Sequence, residues 1–310
     1  MKPINLNISM RRFFVTFVCH CEKVWWDAGY DSLWVAVKAM LDLQARVSQY
    51  LGYQITSTFC SFVDHPTPTT AIADAAEVPE LFREILSSGN EIGLHIHVPV
   101  ELLHTGLQDR MIASDAELLT KLGLPHPITY VAGDWITSPK IVVYLENAGF
   151  KVDCSVYALE GMIDKFGVRI DYTKRKDLHP YRPARDDICA DGDSKIVELP
   201  VSGHLPEFAH HEYEHLPKIT ERIRVRYDAL HEGVDIFQIF WHPFEVVTLN
   251  GKDNDTLLAA GVEPGKGYGK IGVNHRVLDA VERFLMEFGR QPDVEIASAI
   301  QAAECWAQQV

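Results

Sequence analysis

Two histidines two residues apart close an apolar run, Gly89-Asn90-Glu91-Ile92-Gly93-Leu94-His95-Ile96-His97-Val98-Pro99. Side chains alternate between the faces of a strand, so His95 and His97 point the same way. Two imidazoles on one face at a strand end can hold one divalent metal. Such a metal takes three or four ligands from separated segments and keeps an open position for water.

Other ionisable residues fall at or near the ends of apolar runs. His20 and Glu22 follow 13–19, Asp64 and His65 follow 55–63, and Asp134 follows 128–131. Asp153 and Ser155 lie in 151–156, His204 follows 196–201, and His242 follows 235–241. Turn-forming aspartates account for part of this pattern, but histidine has no such preference. His20, His95 and His97 therefore supply three neutral nitrogens as metal ligands, with Glu22 or Asp134 as a carboxylate ligand or base. A divalent metal there, zinc by expectation, lowers the pKa of bound water and polarises a carbonyl. His242, on a different strand, protonates the leaving group, and Asp153 orients the reactants. Trp135, Trp25 and His204 are the expected substrate contacts. Each has an ordinary alternative: core packing for His20 and the tryptophans, a strand cap for His97, backbone bonding for Asp153. His204, His210, His211 and His215 also read as a solvated loop, and His104 as a surface residue.

Positioning these groups on one rim requires a particular architecture. The eight apolar runs, the last at 294–297, alternate with helical patterns over 31–51, 70–87, 107–122, 138–147, 216–232 and 273–288. Residues 157–195 and 249–271 read as loops. Repeated strand–helix alternation predicts an α/β fold with a parallel sheet. Seven or eight units favour a closed or nearly closed barrel over an open sheet, with its chemistry at the C-terminal strand ends. No composition break divides the chain, so residues 1–310 read as one domain.

Composition narrows the partners. Lys and Arg number 29 and Asp and Glu 43, a net charge of −14, which argues against nucleic acid or an anionic membrane as the main partner. The balance does not itself identify a partner; no membrane insertion is expected, and the oligomeric state is not set by sequence. The six cysteines are few and read as reduced thiols of a cytoplasmic protein. The short apolar run after Arg11-Arg12 lacks a signal-peptide cleavage pattern and is too short to span a bilayer.

The order of segments over residues 12–245 resembles the polysaccharide deacetylase family, the carbohydrate esterase-like NodB-homology domain. Gly89 to His95 is similar to its metal-binding second motif. Ala132-Gly133-Asp134-Trp135 and Ala148-Gly149-Phe150-Lys151-Val152-Asp153-Cys154-Ser155 resemble its third-motif region. Pro180-Tyr181-Arg182-Pro183 and Val197-Glu198-Leu199-Pro200-Val201 resemble segments of one branch. Phe240-Trp241-His242-Pro243-Phe244-Glu245 resembles its last motif, whose histidine acts as the acid. The resemblance implies a distorted, TIM-like (β/α) barrel of about seven parallel strands and metal-dependent removal of an acetyl group from an N-acetylated sugar. One Asp and two His hold a zinc-like ion in that family, and a second Asp is the base.

This chain departs from the pattern in three places. The first motif, usually Thr-Phe-Asp-Asp, reads Thr16-Phe17-Val18-Cys19-His20-Cys21-Glu22. The residue four after His95 is Pro99 rather than histidine, and Val131 stands where the family has arginine. The expectation is a hydrolase acting on carbon–nitrogen bonds, a metal-dependent deacetylase with a rebuilt metal set. The alternatives are a metal-independent amide or cyclic-amide hydrolase on the same fold, and a non-catalytic carbohydrate-binding protein.

Overall fold

The computed structural model describes residues 11–27, 29–67, 70–98, 103, 107–158, 162–165, 168–175, 177–205, 218–262 and 269–309. Pro99, His104, His210, His211 and His215 lie outside them.

The sheet is built on β1 (Arg12–Cys21), whose residues from Phe13 onward are all buried. A strand covered on both faces cannot alternate in polarity, hence the unbroken apolar run Phe13–Cys19. Around it stand β2 (Thr58–Thr67), β3 (Glu91–Ile96), β4 (Thr129–Ala132), β5 (Val152–Asp153), β6 (Val197–Glu198), β7 (Val201–His204) and β8 (Val234–Trp241). The order is β7-β8-β1-β2-β3-β4-β5-β6, and every neighbouring pair is parallel. Only Leu199 and Pro200 separate β6 from β7. The two ends of the sheet are thus one stretch of chain, interrupted where Pro200 can offer no N–H to a ladder. The sheet curls into the expected distorted barrel.

The distortion has a visible origin in β1. β9 (Val294–Ile296) pairs with Phe13–Val15, whereas β2 pairs with Val18–Cys21. The barrel is splayed at the N-terminal end of β1, and the C-terminal helix Ala299–Ala307 fills that end. Its first backbone amides donate into the strand bases: Ser298 to Thr56 Oγ1 at 3.0 Å, Ala299 to Thr58 Oγ1 at 2.8 Å and Ile300 to Glu91 Oε2 at 3.2 Å. A buried carboxylate at a helix N-terminus satisfies orphan amides and complements the helix dipole.

The helix Asp31–Leu51 buries the stripe Leu33, Val37, Met40, Leu41 and Val47 and stops at left-handed Gly52. Residues 70–87 do not form the single helix expected from periodicity. Thr70–Ala73 is a strand antiparallel to β2, and Asp74–Glu77 and Pro79–Ser87 are separate helices. Pro79 has no amide to continue the first of them. Two stretches read as loops also carry structure: a hairpin at Met162–Lys165 and Val168–Asp171, and a helix at Asn254–Ala259. Among the described residues, no helix is long and apolar enough to cross a membrane.

Candidate functional site

His20 on β1 and His95 on β3 are separated by a whole strand, yet their ring centroids are 4.5 Å apart. Strands in a sheet stand about 4.8 Å apart, so two strands of separation close to this distance only on the concave face. Gly93 permits the convergence below His95, since a Cβ there would lie 2.6 Å from Cys60 Sγ and 2.9 Å from the Thr129 carbonyl.

Three donor atoms form a triangle at the mouth. Glu22 Oε1 is 2.7 Å from His95 Nε2 and 3.2 Å from His97 Nε2, and the two nitrogens are 3.2 Å apart. Ligands about 2.1 Å from a tetrahedral ion stand about 3.4 Å from one another, so the triangle is slightly contracted from that shape. The far side of each imidazole is already committed. His95 Nδ1 is 3.1 Å from the Val131 carbonyl, which can only accept, so Nδ1 carries the hydrogen and Nε2 presents its lone pair in the neutral ring. His97 Nδ1 is 3.3 Å from Asp134 Oδ2. Carbonyl and carboxylate partners behind ligating histidines set the tautomer and raise ligand basicity. The donor set therefore fits a divalent cation. His20 adds a fourth donor: His20, Glu22 and His95 each offer a ligand atom within 4.8 Å of the others. The buried His20 Nε2 has no hydrogen-bond partner.

Electrostatics follow from the crowding. Burial works against the Glu22 carboxylate, but the adjoining His95 and His97 imidazoles hold its pKa well below the usual range. Burial and neighbouring imidazoles push His20 well down, and burial lowers His95 against the pull of Glu22. His97 is raised to about 9, because Asp134 and Glu22 outweigh burial.

His242 enters from the end of β8, its ring centroid 4.7 Å from that of His20 and its Nε2 3.8 Å from Glu22 Oε1. Its Nδ1 lies 3.3 Å from Glu245 Oε1, and its backbone amide donates to Glu245 Oε2 at 3.0 Å. Burial opposes the imidazolium, but Glu245 raises its pKa. Glu245 itself is brought to about 2, since the charge of His204 and bonds from both histidines overcome burial. Glu245 was not among the expected site residues. Its signal is local: Pro243 opens a 3-10 turn and Glu245 stands three residues after His242, a reciprocal capping arrangement.

Other expected residues are placed differently. Asp134 stands behind His97 in a turn where it and Trp135 have φ of 51° and 59°. Trp135 is buried, stacked on Tyr157 at 4.9 Å with its edge to His20, so it walls the site instead of offering an open face. Trp25 is half-buried against the hydrophobic core. His204 bonds Glu245 through Nε2 and lies parallel to Phe240 at 4.2 Å. Asp153 is not brought to the triangle. Its register partner is Tyr130, which pairs with Leu94, one residue off His95, so Asp153 occupies the opposite face. There it sits across the ladder from buried Glu198.

No protein-family model matches the chain, and comparison with curated proteins finds no match. Solved structures do. A protein from Mycobacterium smegmatis assigned as a polysaccharide deacetylase superposes with a TM-score of 0.57 at 18% identity, over 96% of this chain and 91% of that one. One from Pseudomonas aeruginosa assigned likewise gives 0.56 at 13% identity, over 96% and 92%. The 4-alpha-glucanotransferase of Thermococcus litoralis gives 0.51 at 10% identity, over 95% of this chain and 40% of that one. Such distant likeness speaks to architecture, and the chain has the fold of the polysaccharide deacetylases.

Proposed function

We propose that the protein is a metal-dependent hydrolase of an amide bond, a deacetylase of an N-acetylated sugar or carbohydrate precursor. The observation that carries this reading is the triangle of Glu22, His95 and His97, whose outer nitrogens are already committed to Val131 and Asp134. These three residues are the groups that would hold the ion, leaving the fourth tetrahedral position, which His20 borders, for water. A divalent cation, zinc by preference, supplies Lewis acidity, acidifying water and polarising a carbonyl.

The chain's own groups do the rest. Asp134 fixes the His97 ring. Glu22 receives the proton of the attacking water and stands 3.8 Å from His242 Nε2. His242 keeps Nδ1–H on Glu245, takes that proton from Glu22 on Nε2 and delivers it to the departing nitrogen. Phe62, Trp135, Tyr157 and Phe240 wall the site where this exchange takes place. A cytoplasmic location is supported by six free cysteines, five of them buried.

The test is metal analysis of the purified protein and of His95→Ala, with acetate release from a panel of N-acetylated sugars. Stoichiometric zinc and turnover, both lost in the variant, are expected. A metal-free wild type that still hydrolyses an amide would replace this reading with a metal-independent hydrolase. Neither metal nor turnover would leave a carbohydrate-binding protein.

A further inference from the structure

Glu245 is the buried junction between two histidines from different strands, His204 at the end of β7 and His242 after β8. Both Glu245 oxygens are used. Oε2 accepts the His242 amide, and Oε1 lies against His204 Nε2 and His242 Nδ1. His204 is held in turn by a near-coplanar stack on Phe240, at 4.2 Å and 2°. Phe240 touches His20, Trp135 and His242 with centroid separations of 5.0–5.6 Å.

We propose that His204 is a positioning residue: it anchors Glu245, and Glu245 holds His242 as the Nδ1–H tautomer with Nε2 directed into the site. This rests on His242 acting as the acid. The same trio, His204, His242 and Glu245, could in shape hold an ion. Hydrogen bonding argues against it. Each imidazole can donate one N–H to the same carboxylate oxygen, and the second oxygen is taken by a backbone amide, so no lone pair is left facing a lone pair. A carboxylate with two fixed donors on one oxygen cannot swing away from His242. Loss of the His204 donor leaves the carboxylate on the ring and backbone amide of His242, with one anchor fewer, and weakens the tautomer preference of His242.

The experiment compares His204→Phe, which keeps a stacking ring and loses the donor, with His204→Gln, which keeps an N–H donor and loses the ring. Nitrogen-15 histidine labelling reports the tautomer of His242 without any substrate, and the sugar panel reports kcat and KM. The wild type is expected to show Nδ1–H at His242. His204→Phe should shift it to a mixture and lower kcat about 10–100-fold, with KM within about twofold. His204→Gln should restore most of both. An unchanged tautomer in His204→Phe overturns the proposal, and so does a His204→Gln variant as impaired as His204→Phe. A second equivalent of zinc bound by the wild type and lost in His204→Phe overturns it in favour of an ion site. If the wild type releases no acetate, the deacetylase reading fails, while the tautomer arm still decides the inference. If His204→Phe does not fold, His204→Met serves as the donor-free variant, and an unchanged His242 tautomer in it overturns the proposal.

Discussion

His97 is braced by Asp134: Nδ1 and Oδ2 are 3.3 Å apart, and Asp134 makes this contact from a left-handed backbone conformation with φ of 51°. Non-glycine residues in that region carry about 1–2 kcal/mol of strain. Strain held at a site where it positions a functional group separates stability from function.

Asp134→Gly is therefore expected to move two quantities in opposite directions. The metal-free protein should gain up to about 1 kcal/mol in stability as the strain is relieved, offset by the added freedom of glycine when unfolded. Zinc affinity should fall about 10–100-fold as His97 loses its outer partner. Urea unfolding and chelator competition measure the two, and an unchanged zinc affinity would remove Asp134 from the site.

Gly133 tests the same corner sterically. A Cβ there would sit 2.0 Å from His97 Cδ2, closer than any tolerated contact. Gly133→Ala should turn the His97 ring out of the triangle and weaken zinc binding at least about tenfold, an effect on the order of that for a missing outer-shell partner. Overpacking should also destabilise the fold by about 1–3 kcal/mol. Calorimetric zinc titration that matches the wild type would show that the ring has another place to go.

The Asp153 and Glu198 carboxyls provide a pH signature away from the triangle. Burial pushes Asp153 up to about 7, and burial together with the charge of Asp153 pushes Glu198 well above the carboxylate range. The folded state thus binds protons that the unfolded state has released once pH exceeds about 4–5. Stability from this pair is present at low pH and declines as pH rises through the folded-state values. Glu198→Gln keeps a neutral acceptor for the Val156 amide, which lies 2.9 Å from Glu198 Oε1. Its melting temperature should exceed that of the wild type by several degrees at pH 8, about 2 °C for each kcal/mol, and match it near pH 4.5. Equal melting temperatures at both pH values would mean that the pair does not share a proton.

Glu91 carries the other end of the barrel. It accepts from Thr58, Thr129 and the Ile300 amide, so Glu91→Ala strands several buried donors at once. A loss of about 2–4 kcal/mol is expected from donors left without partners. Zinc stoichiometry at 10 °C should be unaltered, because Glu91 starts the strand whose far end bears His95. Denaturant midpoints and metal analysis check the two halves of that expectation.

The architecture was legible because it rests on long apolar runs with clear punctuation, Phe13–Cys19 and Asp235–Trp241 above all. The convergence of His20, Glu22, His95, His97 and His242 was legible for the same reason: strand alternation and shared polarity place them on one rim. Three features were not. Which face of the sheet Asp153 occupies depends on its register with Tyr130, and register is a relation between strands. The contact of Asp134 with His97 depends on a positive-φ turn that non-glycine residues rarely mark. Glu245 comes from a turn that folds back after Pro243, so its partner His204 is 41 residues away in sequence. The strand at Thr70–Ala73 was masked by helical periodicity, because its pairing with β2 overrides local propensity.

The order of strands around the barrel also sets an order in time. β1, β2 and β3 are adjacent in the sheet and consecutive in the chain, so Glu22, His95 and His97 are all synthesised by residue 97. His242 follows roughly 145 residues later, about 7–30 s at translation rates of roughly 5–20 residues per second. The groups that would capture an ion thus emerge from the ribosome well before the group that would donate a proton.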